Sequence, residues 1–582
     1  MQLKRFIKSI VLIILSVCPA SIVAQSQKNP LFVPPLKIPL LLSGNFGELR
    51  SNHLHSGLDF KTYGLIGIPV FATEDGYISK VKIEPGGFGK SIYITHSYGF
   101  TSVYGHLLRF RYDLDSLCRL NQYKESKFNT EFFLKPGELK VKKGEMIALS
   151  GNSGGSMGPH LHFEIRGNSQ MPLNIQRVYS FPITDTIPPV IFNLWIYPMD
   201  SLSTVNLETK PQCFKITTTS GRSDLEGNPS IRANGRISFG VETLDFMNSS
   251  PNTLGVYSVE LFVNNKLEFS QVIDKISFSE NRSVNSLLDY GYFVKNHARI
   301  NRLYVQPNNK LPIYREVRNQ GVVLMNDSSI RQIRIRIKDA NLNASEIVFN
   351  LLSGGKRLIG VKPVFLDSPE RKTFHYSTEN YFRHHQEVEL QIPAFSVYDD
   401  FLLQYEKVQG GNGFYSDVHH FKNEDIPIDK PIFLKIVPLK LPVKLQSKAL
   451  LVRVDESGNA EWYGGGFSEN LVKASIRAFG RYVVTVDTVA PVIFPINGTI
   501  KNSDFSDWEK IAFRVTDDRS GISSFNGKID GQWVIFEYDE KQDLLFHRFD
   551  LSRMKSQKTH LLDLVVIDKK GNRANYHRFF LK

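Results

Sequence analysis

Cysteine is nearly absent from this chain: three occur in 582 residues, and Cys18 lies within the first two dozen. The two others, Cys118 and Cys213, are too few for a disulfide framework and fall in different segments, so a bridge between them is not expected. Long apolar runs are also missing. The only one, Ile10–Val17, is far shorter than the ~20 residues a membrane-spanning helix needs, which excludes a transmembrane span. Dense Lys/Arg clusters are lacking as well. The formal net charge of +13 is spread along the chain, which argues against a nucleic-acid partner and suits an anionic polymer or simple solubility.

What is present begins with an export signal. Lys4, Arg5 and Lys8 precede the short apolar run, and Ile22-Val23-Ala24 ends on a small residue, so residues 1–24 read as a secretory signal peptide. Val17 and Pro19 flank Cys18 poorly for lipidation. Residues 25–40, with Pro30, Pro34, Pro35 and Pro39, read as an extended lead-in.

From 41 to about 180 the pattern is short β-rich segments broken by Asp75-Gly76, Gly86-Gly87-Phe88-Gly89 and Tyr98-Gly99. No helical period is sustained, so an antiparallel β domain is expected. Residues 109–134 interrupt it with a polar, glycine-poor stretch, read as an inserted loop or a short helix. Every candidate catalytic residue lies before 166, in a segment expected to form its own β core. Residues 185–582 are therefore expected to be dispensable for bond cleavage.

The remainder carries an internal repeat. Asp185-Thr186-Ile187-Pro188-Pro189-Val190-Ile191-Phe192 recurs as Asp487-Thr488-Val489-Ala490-Pro491-Val492-Ile493-Phe494. Each block closes on an Asp/Asn turn, Asp339 to Asn343 and Asp568 to Asn572. β-sandwich, Ig-like modules are expected at 185–354 and 486–582, with a β-rich domain of unassigned role at 355–485. The fold class is all-β throughout.

Three histidine clusters stand out in the first β domain: His55-Ser56-Gly57-Leu58-Asp59, Tyr104-Gly105-His106-Leu107, and Gly158-Pro159-His160-Leu161-His162-Phe163-Glu164-Ile165. On a strand, His160 and His162 share one face, roughly 7 Å apart, while Leu161, Phe163 and Ile165 face the core. His55, Asp59 and one histidine of that pair meet the three-ligand requirement of a catalytic zinc site. The remaining histidines are then free to move protons.

These motifs, with Asn45-Phe46-Gly47, Gly67-Ile68-Pro69-Val70, Lys142-Lys143-Gly144 and Gly151-Asn152-Ser153-Gly154, resemble the lysostaphin/LytM family of zinc metallopeptidases over about 41–177. The resemblance implies a duplicated-hybrid-motif β fold, a Zn2+ cofactor, and hydrolysis of peptide bonds in peptidoglycan. It implies His55, Asp59 and His162 as zinc ligands and His106 and His160 as catalytic histidines, and it gives His53 and His96 no catalytic part. An exported protein of the periplasm or cell envelope is expected, with a possible protein partner on the C-terminal β modules. The alternatives are a non-catalytic regulator of wall hydrolases, which the intact ligand set disfavours, and a surface assembly or adhesion protein.

Overall fold

The computed structural model describes residues 32–178, 181–219, 221–354, 371–497, 504–556 and 558–582. The expected signal peptide and residues 25–31 of the lead-in lie outside the described residues. The architecture is all-β. Among the described residues no helix is long and apolar enough to cross a membrane.

The first β domain is built on one large antiparallel sheet. Its spatial order is Leu42–Gly44, Leu58–Lys61, His160–Arg166, Thr101–Gly105, Lys90–His96, Gly76–Ile83 and Thr130–Phe133. A second sheet joins Pro69–Phe71, Met146–Ser150 and Leu107–Phe110. Alternation along the strands explains the layering. Leu161, Phe163 and Ile165 are fully buried between the sheets, so the intervening residues of that strand face the other way.

The expected continuous strand Thr101–Leu107 is broken. The chain leaves the large sheet at Gly105, turns at His106 with a φ of 58°, and enters the small sheet as Leu107–Phe110. Lys140–Ser150 is likewise two strands, Lys140–Val141 and Met146–Ser150, because Lys142 to Glu145 form a turn closed by Glu145 N–H donating to Lys142 O.

The stretch 109–134 is neither wholly loop nor merely inserted. Tyr112–Glu125 is an α-helix, and Thr130–Phe133 extends the large sheet beside Gly76–Ile83. The helix buries Leu114, Cys118 and Gln122, spaced four apart on one face. Asp113 and Asp115 in its first turn complement the helix dipole. Its other face meets the last module. Arg119 pairs with Asp550 at 3.6 Å, Arg553 stacks over Tyr123 at 3.7 Å, and Tyr123 packs edge-on against Trp533.

The apolar core of this domain is not its own. Met247, Leu254, Ile273, Ile276, Val284, Leu287, Leu311 and Ile313 join Leu42, Phe46, Leu54 and Phe163 in one buried cluster. Two side-chain amides lock the seam. Asn45 donates to Gly255 O at 2.7 Å and accepts from Gly255 N–H at 2.8 Å, and Asn281 bridges Leu54 N–H and C=O in the same way. The sequence gives no sign of this sharing, because an apolar strand residue reads the same whichever neighbour covers it.

Beyond residue 185, strands dominate. A multi-stranded sheet system covers 190–353 around the 16-residue strand Ile231–Phe246. A six-stranded and a five-stranded sheet follow within 371–486, and two four-stranded sheets lie within 492–581. Cys118 is buried and Cys213 exposed, and both are free thiols.

Candidate metal centre

Three neighbouring strands build the site. His162 is in register with Asp59 on one side and with Gly105 on the other, so Asp59, His162 and His106 arrive at one place. His55 comes from the loop that follows His53–Leu54. Gly57 makes this approach possible: a Cβ there would stand 2.5 Å from Phe163 O and 2.9 Å from His162 Cε1.

One ligand atom each from His55, Asp59 and His162 converges, and all three residues are buried. His162 Nδ1 lies 2.9 Å and His55 Nε2 3.1 Å from Asp59 Oδ1, and the two nitrogens are 3.1 Å apart. The outer atoms of each ligand are occupied. His55 Nδ1–H donates to Asn45 O at 2.8 Å, which leaves Nε2 with its lone pair facing inward. His162 Nε2–H donates to Glu164 Oε1 at 3.1 Å. Arg50 donates to Asp59 Oδ2 at 2.7 Å, which leaves Oδ1 facing inward.

The other two histidines stand beside this triangle. His160 Nδ1–H donates to Gly158 O at 2.8 Å, and its Nε2 is buried without a hydrogen bond, 3.4 Å from Asp59 Oδ1. His106 Nδ1–H donates to Ser153 O at 2.8 Å. The rings of His106 and His160 are 4.7 Å apart, and Phe88 stacks on His162 at 4.7 Å. All five expected residues are thus brought together.

Electrostatics describe a site short of positive charge. Burial opposes ionisation of Asp59, yet the charge and hydrogen bonds of the histidines hold its carboxyl well below the usual range. Burial likewise opposes protonation of His162, but hydrogen bonds to Asp59 and Glu164 prevail and raise it to about 9. A proton therefore sits where a cation would bind. Burial, reinforced by His162 and His160, pushes His106 down to about 3, so it is a neutral base near pH 7.

His96 and His53 stay outside the cluster. His96 is buried and ties Asp75 O to Ser102 Oγ, and His53 is exposed with Nδ1 on Ser51 O. Arg50 and Phe88 carry no motif that marks them. Glu164 was legible in principle, since it continues the 160, 162 alternation.

An antiparallel β domain with a buried His/Asp cluster on its large sheet defines a candidate metallohydrolase. The comparisons narrow this. The model for Peptidase family M23 matches residues 127–174, which include His160 and His162, and a Zu5-like domain model matches 371–487, the segment whose role the sequence left unassigned. An uncharacterized metalloprotease of Haemophilus influenzae is 37% identical over 124 residues, 21% of each chain. The DD-carboxypeptidase/endopeptidase Mpg of Neisseria meningitidis is 33% identical over 126 residues, 22% of this chain and 23% of its own. A zinc containing peptidase from Vibrio cholerae, known from its crystal structure, is 28% identical with a TM-score of 0.19, covering 25% of this chain and 39% of that one. The chain spans about a fifth of the length of the curated relatives it matches. The first β domain is a peptidase domain of the lysostaphin/LytM type, family M23.

Proposed function

We propose that the chain is an exported zinc metallo-endopeptidase that hydrolyses peptide bonds of peptidoglycan. The observation that carries this reading is the convergence of three inward-facing ligand atoms, with His160 Nε2 left buried and unbonded beside them. Buried donor and acceptor atoms are ordinarily satisfied, so an orphan of this kind fits a group that completes the site. Two imidazoles and a carboxylate suit zinc, whose bonds of about 2.0–2.2 Å match ligand atoms roughly 3 Å apart.

His55 Nε2, Asp59 Oδ1 and His162 Nδ1 would hold the ion. When bound, zinc supplies a Lewis acid that polarises the scissile carbonyl and acidifies water. Arg50 neutralises the outer oxygen of Asp59 and so fixes which oxygen faces the ion. Asn45 O and Glu164 fix the tautomers of His55 and His162. His106, neutral at working pH, offers Nε2 as a proton acceptor. His160 Nε2 would carry a proton only when the ring is protonated, and in that form Nε2–H would serve the developing oxyanion or pass its proton to the leaving amine. The names of the relatives support the substrate class, and the export signal expected at residues 1–24 supports a location beside that polymer.

The full chain, incubated with labelled sacculi, should release soluble cross-link peptides. Release should stop with chelator and return with Zn2+. No release from any muropeptide by zinc-loaded protein, or release that chelator leaves unchanged, would overturn the reading.

A further inference from the structure

A second cluster of ligand-type side chains lies in the first β-sandwich. Asp185 precedes the strand Val190–Pro198, Asp245 stands near the end of Ile231–Phe246, and Asp339 follows Arg331–Lys338. One carboxylate oxygen from each lies within 4.8 Å of the others; Asp245 and Asp339 are buried and Asp185 is half-buried. Asp245 is 2% exposed, and its Oδ1 has no hydrogen-bond partner. Gln176 Oε1, from the short helix Ile175–Val178, is also buried and unpartnered. Both residues, with Asp185 and Asn45, line a cavity of about 10 Å3, close to the volume that one small ion or water occupies.

The surroundings hold the cluster rigidly without neutralising it. Asp185 Oδ1 accepts from Ile187 N–H, and Asp339 Oδ1 from Asn343 N–H. The Asn343 amide then bridges Asp339 Oδ2 at 2.6 Å and Asp185 O at 3.1 Å. Among the described residues no Lys, Arg or His side chain pairs with the three carboxylates. Burial and mutual repulsion raise Asp245 to about 8 and Asp339 to about 6. Unpaired buried carboxylates are costly, and a bound cation removes that cost.

We propose that Asp185, Asp245 and Asp339, with the amide oxygen of Gln176, bind one calcium-class divalent cation at the seam between the peptidase domain and the first β-sandwich. The donor set is all oxygen, which selects a hard cation over zinc. Carboxylates and an amide carbonyl drawn from separate elements suit the irregular coordination of Ca2+ better than the hydrated octahedron of Mg2+. The same cavity is lined by Leu42, Asn45, Met247 and Leu254, so the ion would tie the seam that positions Asn45 against His55. The repeat carries the corresponding residues, Asp487, Asp517 and Asp568. There, however, the Lys570 ammonium lies within electrostatic reach of Asp487 and Asp568, whereas no such cation faces the first cluster among the described residues. The cation is therefore assigned to the first cluster.

The test uses the full chain, zinc-loaded and stripped of weakly held ions. Bound calcium is counted by equilibrium dialysis, and the melting temperature is followed as CaCl2 is added. The parent should bind calcium and melt higher, with a smaller rise in MgCl2. Asp245→Asn and Asp339→Asn should each bind one equivalent fewer. Anomalous diffraction from calcium-soaked crystals of the parent should place the ion beside Asp245, which decides the matter even if both variants fail to fold. A parent that binds no calcium, variants that bind as much as the parent, or an ion located elsewhere would overturn the assignment.

Discussion

Arg50 donates to Asp59 Oδ2 at 2.7 Å, nine residues away in sequence, at the edge of the His55–Asp59–His162 cluster. The bond leaves Oδ1 as the only oxygen of that carboxylate facing His55, His160 and His162. Arg50→Ala should therefore loosen the ion rather than abolish its site. Partners of this kind contribute about 10–100-fold in metal affinity. Zinc competition against a chromophoric chelator should show that loss, with a folded far-UV spectrum. Unchanged affinity would make the Arg50–Asp59 pair purely structural.

Gly57→Ala tests a different feature, the space beside His162. The added methyl meets Phe163 O and His162 Cε1, so either the 55–59 loop or the ligand must shift. A displacement near 1 Å at a reacting centre costs about 100-fold in rate. Turnover should fall by that order, accompanied by weaker zinc binding. Activity equal to the parent's would show that the loop yields freely.

The site was far more legible than the packing around it. The alternation of His160 and His162 with Leu161 and Phe163 sets their face, and the motif order brought His55, Asp59 and His106 into the same expectation. Arg50 and Phe88 were not legible, because a single Arg at a strand end or a single Phe in a turn reads as surface or core until the fold is known. The helix Tyr112–Glu125 was half hidden for a related reason. Its buried face is Leu114, Cys118 and Gln122, and the polar Gln122 breaks the apolar period after two positions.

The shared core leads to a prediction about truncation. Residues 25–180 alone would expose Leu42, Phe46 and Leu54 where Met247, Leu254 and Ile273 now cover them. Burial of each such side chain is worth about 1.5–3 kcal/mol. A fragment ending near 180 should melt lower and aggregate more than one ending near 354. Equal melting temperatures would restore the sequence-based expectation of a self-sufficient β core.

His419, in the Zu5-like segment, gives a pH-dependent stability. It is 1% exposed, bonded to Tyr405 Oη through Nδ1, and burial pushes its pKa down to about 4. The folded state thus binds the proton less tightly than the unfolded state. Its contribution is fully present above pH 6.5 and is lost as pH falls towards 4, about 3 kcal/mol at most. Denaturant melts of the parent and of His419→Gln should converge over that window. A constant difference from pH 7 to pH 4 would contradict the assignment.

The central claim is that His162 holds the metal while His160, on the same strand face, moves protons. The most direct measurement is bound zinc per protein beside the rate of muropeptide hydrolysis, for His162→Ala and His160→Ala, with Asp59→Ala and His106→Ala as their counterparts. His162→Ala and Asp59→Ala should lose zinc or hold it weakly. His160→Ala and His106→Ala should keep zinc while turnover falls about 10²–10⁴-fold. Loss of metal from His160→Ala with its retention by His162→Ala would contradict the account, as would four variants as active as the parent.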